Sequence, residues 1–451
     1  MTSSNASDPV VGHAGADAGS PDPFSVELGV RLRAVVPADV PWMFKVETHP
    51  SVIWRFRLGG KAPSIGQYQG LVFDNTLDQA VIMPSQGRQP LGFVYASKYD
   101  PSNGTAEFGL VADPENPGSG LVLHGAMLFL DRLFRQFSLR KLVSELMEFN
   151  RDQFANGEGA EDFGGMFSFE TRFDSYYYLK GRYWDRYHLA IFRDNWFAHR
   201  DQMIASASRR LERLRARVQA EGTRASDGRQ DLAAVADEGA PEAQQVDPDA
   251  SRADVRRIAL ETGLFALRPV TPQDEPWCLS MLEQASGTGS LRRNIPTFGP
   301  KEVEAELWFG VLAQFVAWDK PNGFPVALIS AYDVQGAHAL ASIHATLDPA
   351  FATLDVCVEI LPLFVQYVFN CWPFRKIYIR YASGAPELDR WHAAFQSDGR
   401  SLWERVGVQV DQLNVAGAYS DVETYELTRE RWEAAAQEVW DRCGSRPVPA
   451  D

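Results

Sequence analysis

EFGLVADPENPGSGLVLHGAMLFLDRLFRQFSLRK, residues Glu107 to Lys141, reads as a strand, a glycine-bearing turn and a helix, and the rest of the chain is organised around it. Glu107 to Val111 is compact and is stopped by Asp113-Pro114, as a half-buried strand would be. Beyond Gly120 the period changes. Leu121, Leu123, Met127, Leu128, Leu130, Leu133, Phe134 and Phe137 recur at three- and four-residue spacings, which predicts a helix of about four turns with one wide apolar stripe. Gly118-Ser119-Gly120 opens that helix. The first N–H groups of a helix lack intrahelical partners and point outward with the positive end of its dipole. Glycines there let an anion approach, so the turn is either a plain loop or a phosphate cradle. A second strand, Leu142 to Phe149, follows and ends at Asn150.

Composition bounds the possibilities. At 451 residues the chain has room for two or three domains, each able to bury a core. A net charge of -15 argues against a surface devoted to nucleic acid or an anionic membrane. The four cysteines, Cys278, Cys357, Cys371 and Cys443, show no C-x-x-C spacing, so neither a disulfide framework nor a zinc site is expected. No basic start precedes an apolar core and no uninterrupted apolar run approaches about 18 residues, so no membrane segment is expected and a cytoplasmic location is.

Residues 1–24 are poor in anything to bury and are expected to be disordered. Folding starts near Val26, with a strand Val30 to Val35, a turn, a helix carrying Trp42, Phe44 and Val46, and a second helix after Pro63. Two strands, Gln79 to Met83 and Gly92 to Ser97, lead into the central stretch. After it come Met166 to Phe173 and Tyr176 to Phe192, an aromatic-rich pair of runs. From His199 an arginine-studded helix carries a narrow stripe of Met203, Ile204, Ala207, Leu211, Leu214 and Val218, a solvated or docking helix. Gly222 to about Asp254 reads as a flexible linker.

The chain then repeats itself. LRAVVPADVPW at 32–42 is answered by LRPVTPQDEPW at 267–277, and Ser97-Lys98-Tyr99-Asp100 by Ser330-Ala331-Tyr332-Asp333. Asp113-Pro114 pairs with Asp348-Pro349, Phe134 through Lys141 with Phe369 through Lys376, and Gly181-x-Tyr183-x-Asp185 with Gly417-x-Tyr419-x-Asp421. The copies differ where an anion would sit. Gly118 and Gly120 face Thr353 and Asp355, Glu359 follows one turn on, and Glu107 and Asn150 face Ser342 and Ala385. Carboxylates at a helix N-terminus repel an anion.

The string Glu107-x-Gly109, Asp113-Pro114-Glu115-x-x-Gly118-x-Gly120, helix, strand and Asn150 resembles the acetyl-CoA-binding core of the GCN5-related N-acetyltransferase (GNAT) superfamily, in its ribosomal-protein-alanine acetyltransferase-like branch. The resemblance implies a mixed α/β sheet in two tandem acyl-CoA N-acyltransferase folds. Their expected bounds are 25–198 for an acetyl-CoA-binding domain, 199–254 for the charged helix and linker, 255–440 for a degenerate domain and 441–451 for a tail. It implies that Gly118, Ser119, Gly120 and Leu121 hold the pyrophosphate, that the two strands splay to admit the pantetheine arm, and that backbone N–H groups of Val111 and Ala112 face the thioester. It also implies cofactor contacts for Asn150 and Arg151. Glu115 departs from the family's Gln or Arg, and an acidic side chain disfavours a pyrophosphate unless it points away.

Acetyl transfer to an amine needs a base, a donor to the thioester oxygen and a proton source for the thiolate. Glu107 is the candidate base; its other reading is a surface or ion-paired strand carboxylate. The family's usual tyrosine acid after the Asn is missing, which leaves Tyr176 and Tyr178, with Tyr177 and Tyr183 beside them, as candidate acids or as packing residues. His124, in the first helical turn, is a candidate phosphate contact. No metal-ligand spacing or hydrolase elbow occurs. The expectation is therefore an N-acetyltransferase that carries an acetyl or larger acyl group from CoA to a small-molecule or peptide amine, without metal, membrane or nucleic-acid partner. A non-catalytic scaffold, a fold repurposed for another biosynthetic reaction and an aminoacyl-tRNA-dependent transferase are the alternatives.

Overall fold

The computed structural model describes residues 28–53, 57–58, 61–74, 76–116, 121–149, 166–179, 181–222, 259–286, 307–308, 310–415, 417–443 and 448–449. The expected disordered start at 1–24, most of the expected linker, and the site residues Gly118, Ser119, Gly120, Asn150 and Arg151 lie outside them.

The first half runs β1 Val30–Ala34, α1 Val40–Glu47, α2 Ile65–Phe73, β2 Thr76–Pro84, β3 Gly92–Asp100, β4 Thr105–Ala112, α3 Leu121–Gln136, β5 Lys141–Met147, β6 Phe167–Leu179, β7 Arg182–Phe192 and α4 Arg193–Gly222. The second runs β8 Ala259–Glu261, β9 Phe265–Pro269, α5 Glu275–Ser286, β10 Val311–Asp319, β11 Phe324–Gln335, β12 Leu340–Leu347, α6 Leu354–Cys371, β13 Lys376–Ala382, α7 Pro386–Ala394, β14 Gln396–Ser397, β15 Arg400–Ser401, β16 Glu404–Val415, β17 Ala418–Thr428, α8 Arg429–Arg442 and β18 Val448–Pro449. The helix expected after Pro63 begins with a capping box: Gln67 N–H donates to Ser64 Oγ at 3.3 Å and Ser64 N–H to Gln67 Oε1 at 3.0 Å.

All strands but the β14–β15 ribbon join one mixed sheet, in the order β1-β2-β3-β4-β5-β7-β6-β16-β17-β13-β12-β11-β10-β9-β8-β18. Read inward from β1 and from β9, the two runs follow the same course and meet at β6 and β16. Among the described pairings only two are parallel. β4 and β5 pair through Thr105–Glu107 and Lys141–Val143, and β12 and β13 through Leu340–Ser342 and Lys376–Tyr378. Each pair then stops pairing while both strands continue, which leaves a split in the sheet.

Helices cover both faces. α3 and the start of α4 bury Phe129, Leu133, Phe134, Trp196, Met203 and Ile204 against β1, β2 and β3. α1 and α2 bury Met43, Val46, Tyr68 and Val72 against Phe93, Tyr95 and Val111 from the other side. Sandwiched between sheet and α4, α3 is apolar more fully round than the expected stripe, and Val122, Ala126 and Phe129 join it. Arg200, the first arginine of the studded helix, donates to Asp131 on α3 at 2.8 Å, so there the helix docks. The side chains of Ala207, Leu211, Leu214 and Val218 are outside the described set.

Two expectations are corrected. The break read at Asp174-Ser175 is a β-bulge inside β6, where Ser175 takes φ 49°, and the strand turns instead at Gly181, φ 78°. The match of Ser97–Asp100 to Ser330–Asp333 is out of register. Lys98 and Asp333 both sit at bulges with φ 50° and 53°, and Ser97 opposes Glu107 as Tyr332 opposes Ser342. A shared Ser and Asp suggested the pairing, but the bulge sets the register.

Candidate functional site

Glu107 is the last residue of β4 paired to β5, opposite Val143, and therefore stands at the apex of the first split. Just beyond it, Ser144 Oγ donates to the Phe108 carbonyl at 3.0 Å. Two positions along β4, Gly109 is required by packing: a Cβ there would lie 2.2 Å from the Tyr95 ring. The Glu107 carboxylate accepts from Lys98 Nζ at 2.7 Å and is one-third exposed. Its pKa is raised by burial and by the negative charge of Glu145, with Lys98 and Arg186 opposing.

Glu145, on β5, joins Glu107 to a larger polar group. It is ion-paired with Arg186 of β7 and accepts from Tyr177 Oη at 3.3 Å. Arg186 lies 4.7 Å over the Tyr176 ring and 5.1 Å over Phe173. It also reaches His188, whose Nε2 is 2.7 Å from Arg186 Nη2. An arginine has no lone pair to give, so that nitrogen of His188 is the acceptor and the imidazole is neutral. Burial and the cations Arg186 and Arg380 hold its pKa well below the usual histidine value. The second half reaches in here: Gln409 Nε2 lies 3.4 Å from His188 Nδ1, and Gln409 Oε1 accepts from Arg380 at 2.5 Å.

The sequence-expected residues are distributed as follows. Glu107 stands at the apex, and buried Tyr176 lies under Arg186 with its pKa raised by burial. Tyr178 is turned elsewhere: its ring packs 5.0 Å from Tyr183 and its N–H donates to His338 Nδ1 at 3.1 Å, so Tyr177 is the phenol that meets Glu145. An alternation argument would place 176 and 178 together, but the bulge at Ser175 upsets it. Val111 is fully buried toward α1 and α2, Ala112 opposes Gly92, and Leu121 opens α3. His124 is buried with Nδ1 2.8 Å from the Leu28 carbonyl, which ties α3 to the start of the fold. Glu115 is paired with Lys45 at 2.6 Å on the surface, so its charge is countered locally. Lys98, Glu145, Arg186 and His188 were not singled out from the sequence as members of a site, whereas Tyr177 stood among the candidate acids. Glu145 on β5, and Arg186 and His188 at alternate positions on β7, are polar side chains within sheet strands and were the available signal.

The second split is closed. Tyr381, 1 % exposed, places its hydroxyl between the two strands, donating to the Ala345 carbonyl at 3.1 Å and accepting from Ala345 N–H at 3.1 Å and Trp391 Nε1 at 2.8 Å. His344 stacks on the Tyr381 ring at 4.9 Å. The α6 N-terminus is occupied from within: Thr353 caps it through Val356 N–H, and buried Glu359 accepts from Thr262 Oγ1 at 2.7 Å. At the position of Tyr381 the first half carries Leu146, and at that of Ala345 it carries Leu110.

No protein-family model matches the chain, and no curated protein matches it. Among solved structures, it is similar to the spermidine N-acetyltransferase of Vibrio cholerae in complex with CoA and spermine, at 19 % identity and a TM-score of 0.33. That match covers 38 % of this chain and 98 % of the other. The Vibrio cholerae spermidine/spermine N-acetyltransferase with manganese ions is similar at 18 % identity and a TM-score of 0.31, covering 38 % of this chain and 97 % of the other. A likeness of this extent carries no statement about the reaction.

Proposed function

We propose that this chain is a tandem acyltransferase of the superfamily it resembles, and that its first half transfers an acetyl or larger acyl group from CoA to an amine of a small molecule or peptide. The observation that carries the reading is the difference between the splits. The first has a raised-pKa carboxylate at its apex and leucines where the second has a tyrosine plug. Acetyl-CoA, when bound, supplies the activated acyl carbon.

Glu107 then takes a proton from the acceptor ammonium, for which a raised carboxylate pKa is the useful direction. The freed amine nitrogen adds to the acyl carbon, the carbon–sulfur bond breaks and the sulfur leaves with the bonding pair, and the second proton, which the nitrogen sheds in becoming an amide, passes to the sulfur to give the thiol. Tyr176 and Tyr177 are the hydroxyls grouped with Glu145 and Arg186 on that side, and each keeps its proton because burial raises its pKa. Lys98 and Arg186 hold Glu107 and Glu145 in place and offset their mutual repulsion.

Calorimetric titration with acetyl-CoA tests the proposal. One site per chain is expected, abolished in Leu146→Tyr, which brings to the first split the hydroxyl that closes the second, and in Gly118→Val with Gly120→Val. Circular dichroism confirms that the variants fold. Two sites would contradict the asymmetry, and no binding to the wild type would leave a non-catalytic scaffold as the better account.

A further inference from the structure

The two halves touch along β6 and β16, and the ring contact and the bulge-carbonyl contacts of the arginine–lysine pair that opens the parallel strand occur twice, with the halves exchanged; Lys141 Nζ to Gln412 Oε1 at 3.0 Å and Arg375 Nη2 to the Tyr176 carbonyl at 3.2 Å are further cross-seam bonds outside that repeated set. Arg140 reaches the Asp411 carbonyl and lies 3.9 Å over the Tyr419 ring; Arg375 reaches the Ser175 carbonyl and lies 3.8 Å over the Tyr183 ring. Lys141 Nζ donates to the Val410 carbonyl at 2.9 Å, and Lys376 Nζ to the Asp174 carbonyl at 2.9 Å. The receiving bulges match as well. Asp411 has φ 47° and donates its N–H to Asp421 at 2.7 Å, while Ser175 has φ 49° and donates to Asp185 at 2.7 Å. Asn103 accepts the N–H of Asn414 at 2.5 Å, and His338, at the equivalent turn, accepts that of Tyr178 at 3.1 Å.

At the centre, Gly407 pairs directly with Thr171, its own counterpart in the repeat. A residue meets its own equivalent only on a two-fold axis. The approach is close enough that a Cβ on Gly407 would lie 2.6 Å from the Glu170 carbonyl and from Thr171 Cα, so one member of the axial pair must be glycine. Symmetry breaks in the ion pairs: Lys141 is neutralised by Glu170 on β6, and Lys376 by Glu426 on β17.

We propose that residues 28–222 and 259–449 are held together as the two members of a pseudo-symmetric dimer, each presenting one surface to the same surface of the other, and that this seam, not the connecting segment, keeps the halves assembled. The partner this surface fits is a second copy of the same fold, here supplied in the same chain. The repeated motifs Arg140-Lys141 and Gly181-x-Tyr183-x-Asp185 are thereby explained as the two sides of one joint, where the sequence showed them only as separate echoes.

The test uses the full chain with a protease recognition sequence inserted between residues 223 and 258, cleaved and examined by size exclusion with light scattering; it needs no acyl donor, so its outcome is independent of the acetyl-transfer reading. The nicked chain is expected to stay one particle of the intact mass. Arg140→Ala and Arg375→Ala should each weaken association about tenfold or more, through the lost stacking and carbonyl contact, and to within about threefold of one another. The double variant should separate into two soluble fragments. If it fails to fold before cleavage, Tyr183→Leu with Tyr419→Leu removes the other side of the same joint. Separation of the unmutated nicked chain, a double variant that stays assembled, or single variants outside that range would overturn the proposal.

Discussion

At Glu107 two opposing influences compete. Burial and the Glu145 charge disfavour its ionised form, and the Lys98 ammonium favours it; the net direction is upward. Removing the cation must therefore raise the pKa further, and removing the like charge must lower it. In a carbon-13 titration of the glutamate carboxyls, Lys98→Met should move the Glu107 midpoint up and Glu145→Gln should move it down. A Glu107 midpoint that moves in neither variant would show that the three groups are not coupled. The position of Glu107 before Gly109 was legible in the sequence as a strand carboxylate beside a candidate turn. Its partners were not, because Lys98, Glu145 and Arg186 come from three other strands and meet it only through sheet order.

Among the elements, α6 shows how a local fault is repaired at a distance. Its length and apolarity would suit a membrane crossing, yet it is the central helix of the second core, with Cys357, Ile360, Leu361, Leu363, Phe364, Val365 and Val368 all buried. Pro362 lies inside it and has no N–H, so the Val358 carbonyl one turn back loses its helical donor. Cys443, just past α8, puts its Sγ 2.7 Å from that oxygen. Burial pushes the thiol up to about 11, which keeps the proton that makes the bond. Cys443→Ala should cost about 1 kcal/mol in urea unfolding, because a partly buried acceptor loses its donor. Combined with Pro362→Ala, which restores an N–H at that turn, the loss should shrink, and strictly additive losses would refute the compensation. The cysteine spacing offered no reason to expect a disulfide framework, but only the packing of α8 against α6 shows what this thiol does.

For the whole molecule the seam carries two neutral imidazoles. His188 faces Arg186, Arg380, Lys141 and Lys98, with a Glu145 carboxylate oxygen 3.8 Å from its Nε2. His338 faces Arg375 and Lys61, and burial and these charges lower its pKa too. A histidine whose folded pKa is depressed contributes stability that is fully present above its unfolded value near 6.5 and is lost as pH falls toward the folded one. The urea midpoint should therefore drop between pH 7.5 and 5.5. His188→Gln with His338→Asn should reduce that drop; the Asn supplies the same kind of acceptor that Asn103 offers at the equivalent turn. An unchanged drop would place the acid sensitivity elsewhere.

The amino-acid sequence by itself determined the strand–turn–helix–strand around Glu107, the helices after Val36 and Pro63, and the repetition of these elements, because spacing, caps and turn residues act within a few positions of one another. It also marked Gly118 and Gly120 against Thr353 and Asp355 as the difference between the copies. Tertiary structure alone decided that Tyr381 bridges the second split where the first half carries Leu146, that Tyr177 rather than Tyr178 joins Glu145, and that Arg140 of one half closes on Tyr419 of the other. Those pairings join residues on different strands and in different halves, where bulges reset the alternation of side chains and a two-fold relation, invisible along a linear chain, sets what meets what.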